Sequence, residues 1–121
     1  MSAVLIVENH DLLRYLLVGL VEVAGFEAIQ VSNADKALPI LEGRSDIALL
    51  ITNVVMEGSM DGVELAHAVD NRWPSIKIIV VTGKPGLRES DLPKKCIFLS
   101  KPYHDEEMLF EIRSLIGAPA G

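Results

Sequence analysis

Two kinds of apolar segment alternate along the chain. Short runs of β-branched and aliphatic residues occupy Ala3–Val7, Ala28–Val31, Ile47–Thr52, Lys77–Val81 and Cys96–Ser100. These runs are continuous, as expected for parallel strands covered on both faces. Between them, apolar residues recur every three or four positions. Leu12, Leu13, Leu16, Leu17, Leu20, Val21 and Ala24 share a helix face, and Gly25 supplies a stop. Asn33 is placed to cap a helix through Glu42, ended by Gly43, with Pro39 expected to bend or shorten it. A third helix is expected from Asp61 or Gly62 to Asn71, closed by Trp73-Pro74. The last runs from about His104 to Ile116 and buries Met108, Leu109, Ile112, Leu115 and Ile116. The stretch GKPGLRESDLPKK, before the last strand, carries two prolines and two glycines. It is expected to be a mobile loop with at most one helical turn, near Leu87–Asp91.

Strands alternating with helices predict an α/β fold, a doubly wound five-stranded parallel sheet with helices on both faces. Right-handed crossovers leave few topologies, and the flavodoxin-like (βα)5 order 2-1-3-4-5 is the one expected at this size. The 121 residues suit one domain over 1–121, with a core of about 3–117 and no output domain.

Composition narrows the partners. Half the residues are hydrophobic but only 5% are aromatic, so the core is aliphatic. Seventeen acidic residues against eleven basic give a net charge of -6 and a pI near 4.9, with no Lys/Arg cluster. That disfavours nucleic acid and anionic membrane as partners. The segment Leu12–Ala24, interrupted by Arg14, Tyr15, Gly19 and Glu22, is too short to span a bilayer, and MSAVLIVENH lacks the basic start of a signal peptide. The single cysteine, Cys96, excludes an internal disulfide and fits a cytoplasmic protein; it reads as a small buried thiol in a strand.

In such a sheet, function gathers at the carboxyl ends of the strands, near the switch point between strands one and three. Those ends read Glu8-Asn9-His10-Asp11, Thr52-Asn53, Thr82-Gly83 and Ser100-Lys101-Pro102. Glu8, Asn9, Asn53, Thr82 and Lys101 are therefore expected to face one crevice. Each alone reads as an ordinary loop residue; their joint placement at four strand ends points to a site.

The segments VLIVENHDLLR, LLITNVVMEGSMDGVELA, IIVVTG and FLSKPY fall in order on these elements. Through them, and over essentially its whole length, the chain resembles the receiver domain of two-component response regulators, in particular small stand-alone receivers. The resemblance implies an acidic Mg²⁺-holding pair at the places of Glu8 and Asn9, and a phospho-acceptor at the place of Asn53. It implies a switch hydroxyl at Thr82, a switch aromatic at Phe98, a phosphoryl-contacting lysine at Lys101 and a cis peptide at Lys101–Pro102. The backbone carbonyl of Val55 would complete the metal ligands. The resemblance further implies protein partners, such as a histidine kinase, a phosphotransfer protein or another regulator, and a monomer or homodimer. The implied output face includes the loop Lys84–Lys95, Phe98, Tyr103, His104 and the last helix.

The chain departs from this pattern inside the site. Asn53 stands where the family has its acceptor aspartate, Asn9 replaces the second acid, and His10 stands where an acid is common. Phosphoryl transfer needs an anionic oxygen nucleophile, and an amide offers none. Mg²⁺ is usually held by one or two carboxylates. Three carboxylates and a lysine sum to about -2, whereas Glu8 and Lys101 sum to about zero, so metal binding is expected to be weak or absent. Lys101 is expected to reach Glu8 or the amide oxygen of Asn53 instead. The resulting expectation is a degenerate receiver with no cofactor and no catalytic residue, acting through protein–protein contact. Three alternatives stay open: a receiver phosphorylated at Asp11 or Glu8, a conventional regulator altered from Asp to Asn, and a flavodoxin-like binder of a small ligand. Helix capping explains Asp11 more simply. No Gly-rich phosphate loop supports the last alternative, and His10, His67 and His104 are scattered.

Overall fold

The computed structural model describes residues 2–83 and 86–117. Its parallel strands β1 (Ala3–Val7), β2 (Glu27–Val31), β3 (Ile47–Asn53), β4 (Lys77–Thr82) and β5 (Ile97–Ser100) form one sheet in the order β2-β1-β3-β4-β5. Helices α1 (Asp11–Val23), α2 (Ala34–Gly43), α3 (Gly62–Arg72) and α4 (Asp105–Ile116) cover it. This is the doubly wound, flavodoxin-like α/β fold expected from the alternation of strands and helices.

The continuous apolar strands feed two layers by turns. On one side Leu5, Leu50 and Ile78 pack with Ala37 and Leu41 of α2 and with Leu65 and Val69 of α3. On the other, Ile6, Ile51 and Ile79 pack with Leu17 and Val21 of α1 and with Met108 and Ile112 of α4. All five residues of β1 are fully buried, which fixes the central strand and the loop that leaves it. Between β4 and β5 the described residues hold only a 3-10 turn, Glu89–Asp91, inside the span where one turn was expected. Lys84 and Pro85 of that connection lie outside the described residues.

Three local expectations need correction. His10, not Asp11, caps α1: its Nδ1 accepts the backbone N–H of Leu13 at 3.3 Å, and Asp11 is the first helical residue, paired with Arg14 at 2.7 Å. Pro39 does not shorten α2, which runs from Ala34 to Gly43 with Asn33 accepting from the Lys36 amide at 2.9 Å. The bond that proline removes would have ended at Asp35, and both residues are exposed, so the loss falls on the solvent side of the helix. Cys96 lies just before β5 and is half-buried. Its thiol is pushed up to about 11, by burial first and then by Asp70.

The loop after β3 is seated tightly. Asp61 and Glu64 form a reciprocal cap on α3, with Glu64 N donating to Asp61 Oδ1 at 2.8 Å and Asp61 N to Glu64 Oε1 at 3.1 Å. Gly62 N donates to the Val54 carbonyl at 2.9 Å. A Cβ on Gly62 would overlap the Asn53 carbonyl oxygen and sit 2.7 Å from its carbon and 2.9 Å from Val54 Cα. These are backbone atoms at the end of a buried strand and cannot swing away. Gly62→Ala is therefore expected to cost about 3 kcal/mol, at the upper end for overpacking. Urea unfolding checks this: the midpoint should fall with an unchanged slope.

Candidate functional site

The end of β1 delivers Glu8 into the crevice between β1 and β3. The residue is 2% exposed, so its charge needs donors. It has three. Lys101 Nζ donates to Oε1 at 3.1 Å; His10 N at 3.0 Å and Asn53 Nδ2 at 3.1 Å donate to Oε2. Arg14, which the sequence reading left aside, donates to the Glu8 backbone carbonyl at 2.9 Å while holding Asp11 and Gln30. Its spacing of three from Asp11 is a helix ion-pair signal that was available.

Asn53, at the end of β3, is 7% exposed. Its Nδ2 faces three acceptors: Glu8 Oε2 at 3.1 Å, Asn9 Oδ1 at 2.8 Å and the Val55 carbonyl at 3.1 Å. Two N–H bonds serve three oxygens, so one is shared. The opposite amide orientation would put Oδ1 against those same oxygens, and the donors fix the flip. Oδ1 itself is buried and accepts no hydrogen bond among the described residues. Thr82 is buried at the end of β4, and with Asn53, Val55, Gly83 and Lys101 it lines a cavity of about 400 Å³. The five residues expected at one crevice are thus brought to it. The Lys101–Pro102 peptide is cis.

The remaining residues are spread out. Phe98 is half-buried and belongs to the layer of α2 and α3, whereas Tyr103 packs with the layer of α1 and α4. His104 is exposed at the cap of α4, where its N–H donates to Glu107 Oε1 at 3.0 Å. The loop carrying Val55 is also tied to α2, since Ser59 donates to Asp35 from its amide at 2.9 Å and from its hydroxyl. These bonds hold the Asp35 carboxyl below its usual range. Nothing in the sequence joined these two positions. Among the described residues, no three His, Cys, Asp or Glu side chains form a metal-binding group, and no helix is long and apolar enough to cross a membrane.

Comparison with known proteins matches the response regulator receiver domain to residues 4–113. The chain belongs to that family. It is 32% identical over 119 residues to the response regulator receiver protein CpdR of Brucella abortus, covering 96% of this chain and 98% of that one. It is 30% identical over 115 residues, 90% of this chain, to a cyclic di-GMP phosphodiesterase of Thermotoga maritima, of which it spans only 29%. The signal receiver domain of an HD domain-containing protein from Pseudomonas fluorescens superposes with a TM-score of 0.82 at 25% identity, covering 95% of this chain and 94% of that one. This receiver therefore keeps the family fold of two-component signalling.

Beside the site, the Tyr103 phenol is pushed up to about 12, by burial first and then by the charges of Glu8 and Asp105. A raised folded-state value means that the folded chain keeps this proton while the unfolded chain releases it. Stability is therefore expected to fall as pH rises from about 10 to about 12. Phenolate absorbance in a Tyr15→Phe background checks this, with a Tyr103 midpoint near 12 expected.

Proposed function

We propose that this receiver signals by protein contact and is not phosphorylated at the family's acceptor place. The carrying observation is the Asn53 amide, whose Nδ2 donates toward Glu8, Asn9 and the Val55 carbonyl. Those positions match the family's metal ligands, and Asn53 matches its phospho-acceptor. Receiver domains generally bind Mg²⁺ at that place. The residues here do not fit it: a hydrogen-bond donor already fills the oxygen cluster, and one carboxylate, paired with Lys101 at 3.1 Å, remains where the family has three. The amide thus satisfies the oxygens that a cation would otherwise satisfy, and it has no anionic oxygen to accept a phosphoryl group.

On this reading Thr82, Phe98 and Lys101 are retained from the family's switch, but the phosphoryl group that would drive it has no acceptor. The module is cytoplasmic and acts without catalysis. Its partners are proteins such as a histidine kinase, a phosphotransfer protein or another regulator.

Acetyl phosphate with Mg²⁺, or beryllofluoride with Mg²⁺, is expected to leave the intact mass and the amide shifts of Asn53, Thr82 and Lys101 unchanged. A gain of one phosphoryl group would sink the proposal. Asn53→Asp removes the donor and adds a charge beside Glu8. Without metal this variant is expected to lose about 1–3 kcal/mol, the scale of a broken buried polar contact. Mg²⁺ should restore its thermal midpoint while leaving that of the parent chain unmoved. Adding Asn9→Asp should permit phosphorylation.

A further inference from the structure

The loop that leaves β3 brings the Val55 carbonyl to Asn53, but its tip buries little to hold it there. Glu57, Gly58 and Ser59 are exposed, and Met56 and Met60 on either side are half-buried. Among the described residues, the hydrogen bonds that join this tip to another element all end on one side chain. Ser59 donates to Asp35 Oδ2 from its amide at 2.9 Å and to Asp35 Oδ1 from its hydroxyl. Both oxygens of an exposed carboxylate on α2 are thus engaged by a single residue 24 positions away.

The helix does not need that carboxylate for its own start. Asn33 already caps α2 by accepting from the Lys36 amide at 2.9 Å. Lys36, the neighbouring cation, donates to Ser32 Oγ at 3.1 Å instead of pairing with Asp35. Gly58 is an independent sign. Its φ is +110°, a conformation that side chains rarely adopt, and a Cβ there would overlap Asp35 Oδ2. The loop backbone is drawn against the carboxylate as closely as a glycine permits.

At the near end of the loop, Asn53 Nδ2 has two hydrogens for three acceptors: Glu8 Oε2 at 3.1 Å, Asn9 Oδ1 at 2.8 Å and the Val55 carbonyl at 3.1 Å. Such a set has two arrangements. With the loop held in, the Val55 carbonyl shares a hydrogen. With the loop let out, Glu8 and Asn9 take one hydrogen each, and the carbonyl of Val55, a residue 61% exposed, turns to water. No donor is lost between them, so their free energies lie close and a modest grip decides which is populated.

We infer that Asp35 is a positioning residue: its grip on Ser59 is a strap that holds the Val55 carbonyl on the Asn53 amide and couples the first turn of α2 to the site. Coupling is reciprocal, so whatever engages Asp35 from outside changes the amide at Asn53. The strap goes beyond the protein-contact reading and does not depend on whether the place of Asn53 accepts a phosphoryl group.

The test is NMR on the whole chain with Asp35→Ala, Ser59→Ala and Ser59→Thr. In Asp35→Ala the Ser59 amide should exchange with solvent about tenfold faster, the scale of a lost hydrogen bond to a charged group. The Asn53 side-chain amide protons should move downfield as the bonds to Glu8 and Asn9 tighten, and the Val55 carbonyl carbon should shift with them. Signals from Ala37 to Gly43 should stay, because Asn33 keeps the cap. Ser59→Ala spares α2 and should displace the Asn53 signals in the same direction by less. Ser59→Thr retains the hydroxyl and should return them to the parent positions. Unmoved Asn53 and Val55 signals in Asp35→Ala or Ser59→Ala would overturn the inference, even with a loosened Ser59 amide, since the bond would then be a local tie. Where Asp35→Ala unfolds α2, the two Ser59 variants decide by the same criterion. A phosphoryl group gained by the parent chain would strike the reading of Asn53 and leave this coupling standing.

Discussion

A carboxylate withdrawn from water must be given donors, and the arrangement around Glu8 follows from that need. An unpaired charge at such a depth costs several kcal/mol. Its three donors come from three separate connections: the start of α1, the end of β3 and the turn after β5. One side chain at the end of the most buried strand thereby sets how three loops approach one another. Asn53 extends the network, since the same nitrogen that serves Glu8 also holds Asn9 and the Val55 carbonyl. The crevice is closed by hydrogen-bond donors.

The ion pair at this centre also reaches the surface. Glu8 and Lys101 line a groove beside α1, and Lys101 leads through Pro102 to Tyr103 on the same wall. The crevice and the outer helix therefore share a boundary. What Lys101 holds on one side shapes the wall of the groove on the other.

The strands were legible because β1, β3 and β4 are buried on both faces, and residues drawn by turns into two layers read as uninterrupted apolar runs. The convergence of Glu8, Asn53, Thr82 and Lys101 was legible as topology, since it needs only the strand order. Finer features were hidden for physical reasons. His10 and Asp11 are both competent at a helix start, and backbone geometry chose between them. The bonds from Ser59 to Asp35 span 24 positions and leave no periodic trace. The exposed side of α1 was masked by abundance: Leu12, Leu13, Leu16, Leu17 and Leu20 read as one broad face, when the core takes only part of it.

Among the described residues, the connection from β4 to β5 carries a single 3-10 turn where the other crossovers carry full helices. Ile97, Phe98 and Leu99 are accordingly only half-buried, in contrast to the sealed interior of β1. The sheet thus has a firm centre and two thinly covered margins, β2 and β5. Cooperative units of a fold open in order of how much apolar surface secures them. In amide exchange this protein should therefore loosen from its edge strands β2 and β5 inward, with β1 and β3 the last to yield. Of these two edges, the one bearing Phe98 leads directly into Lys101.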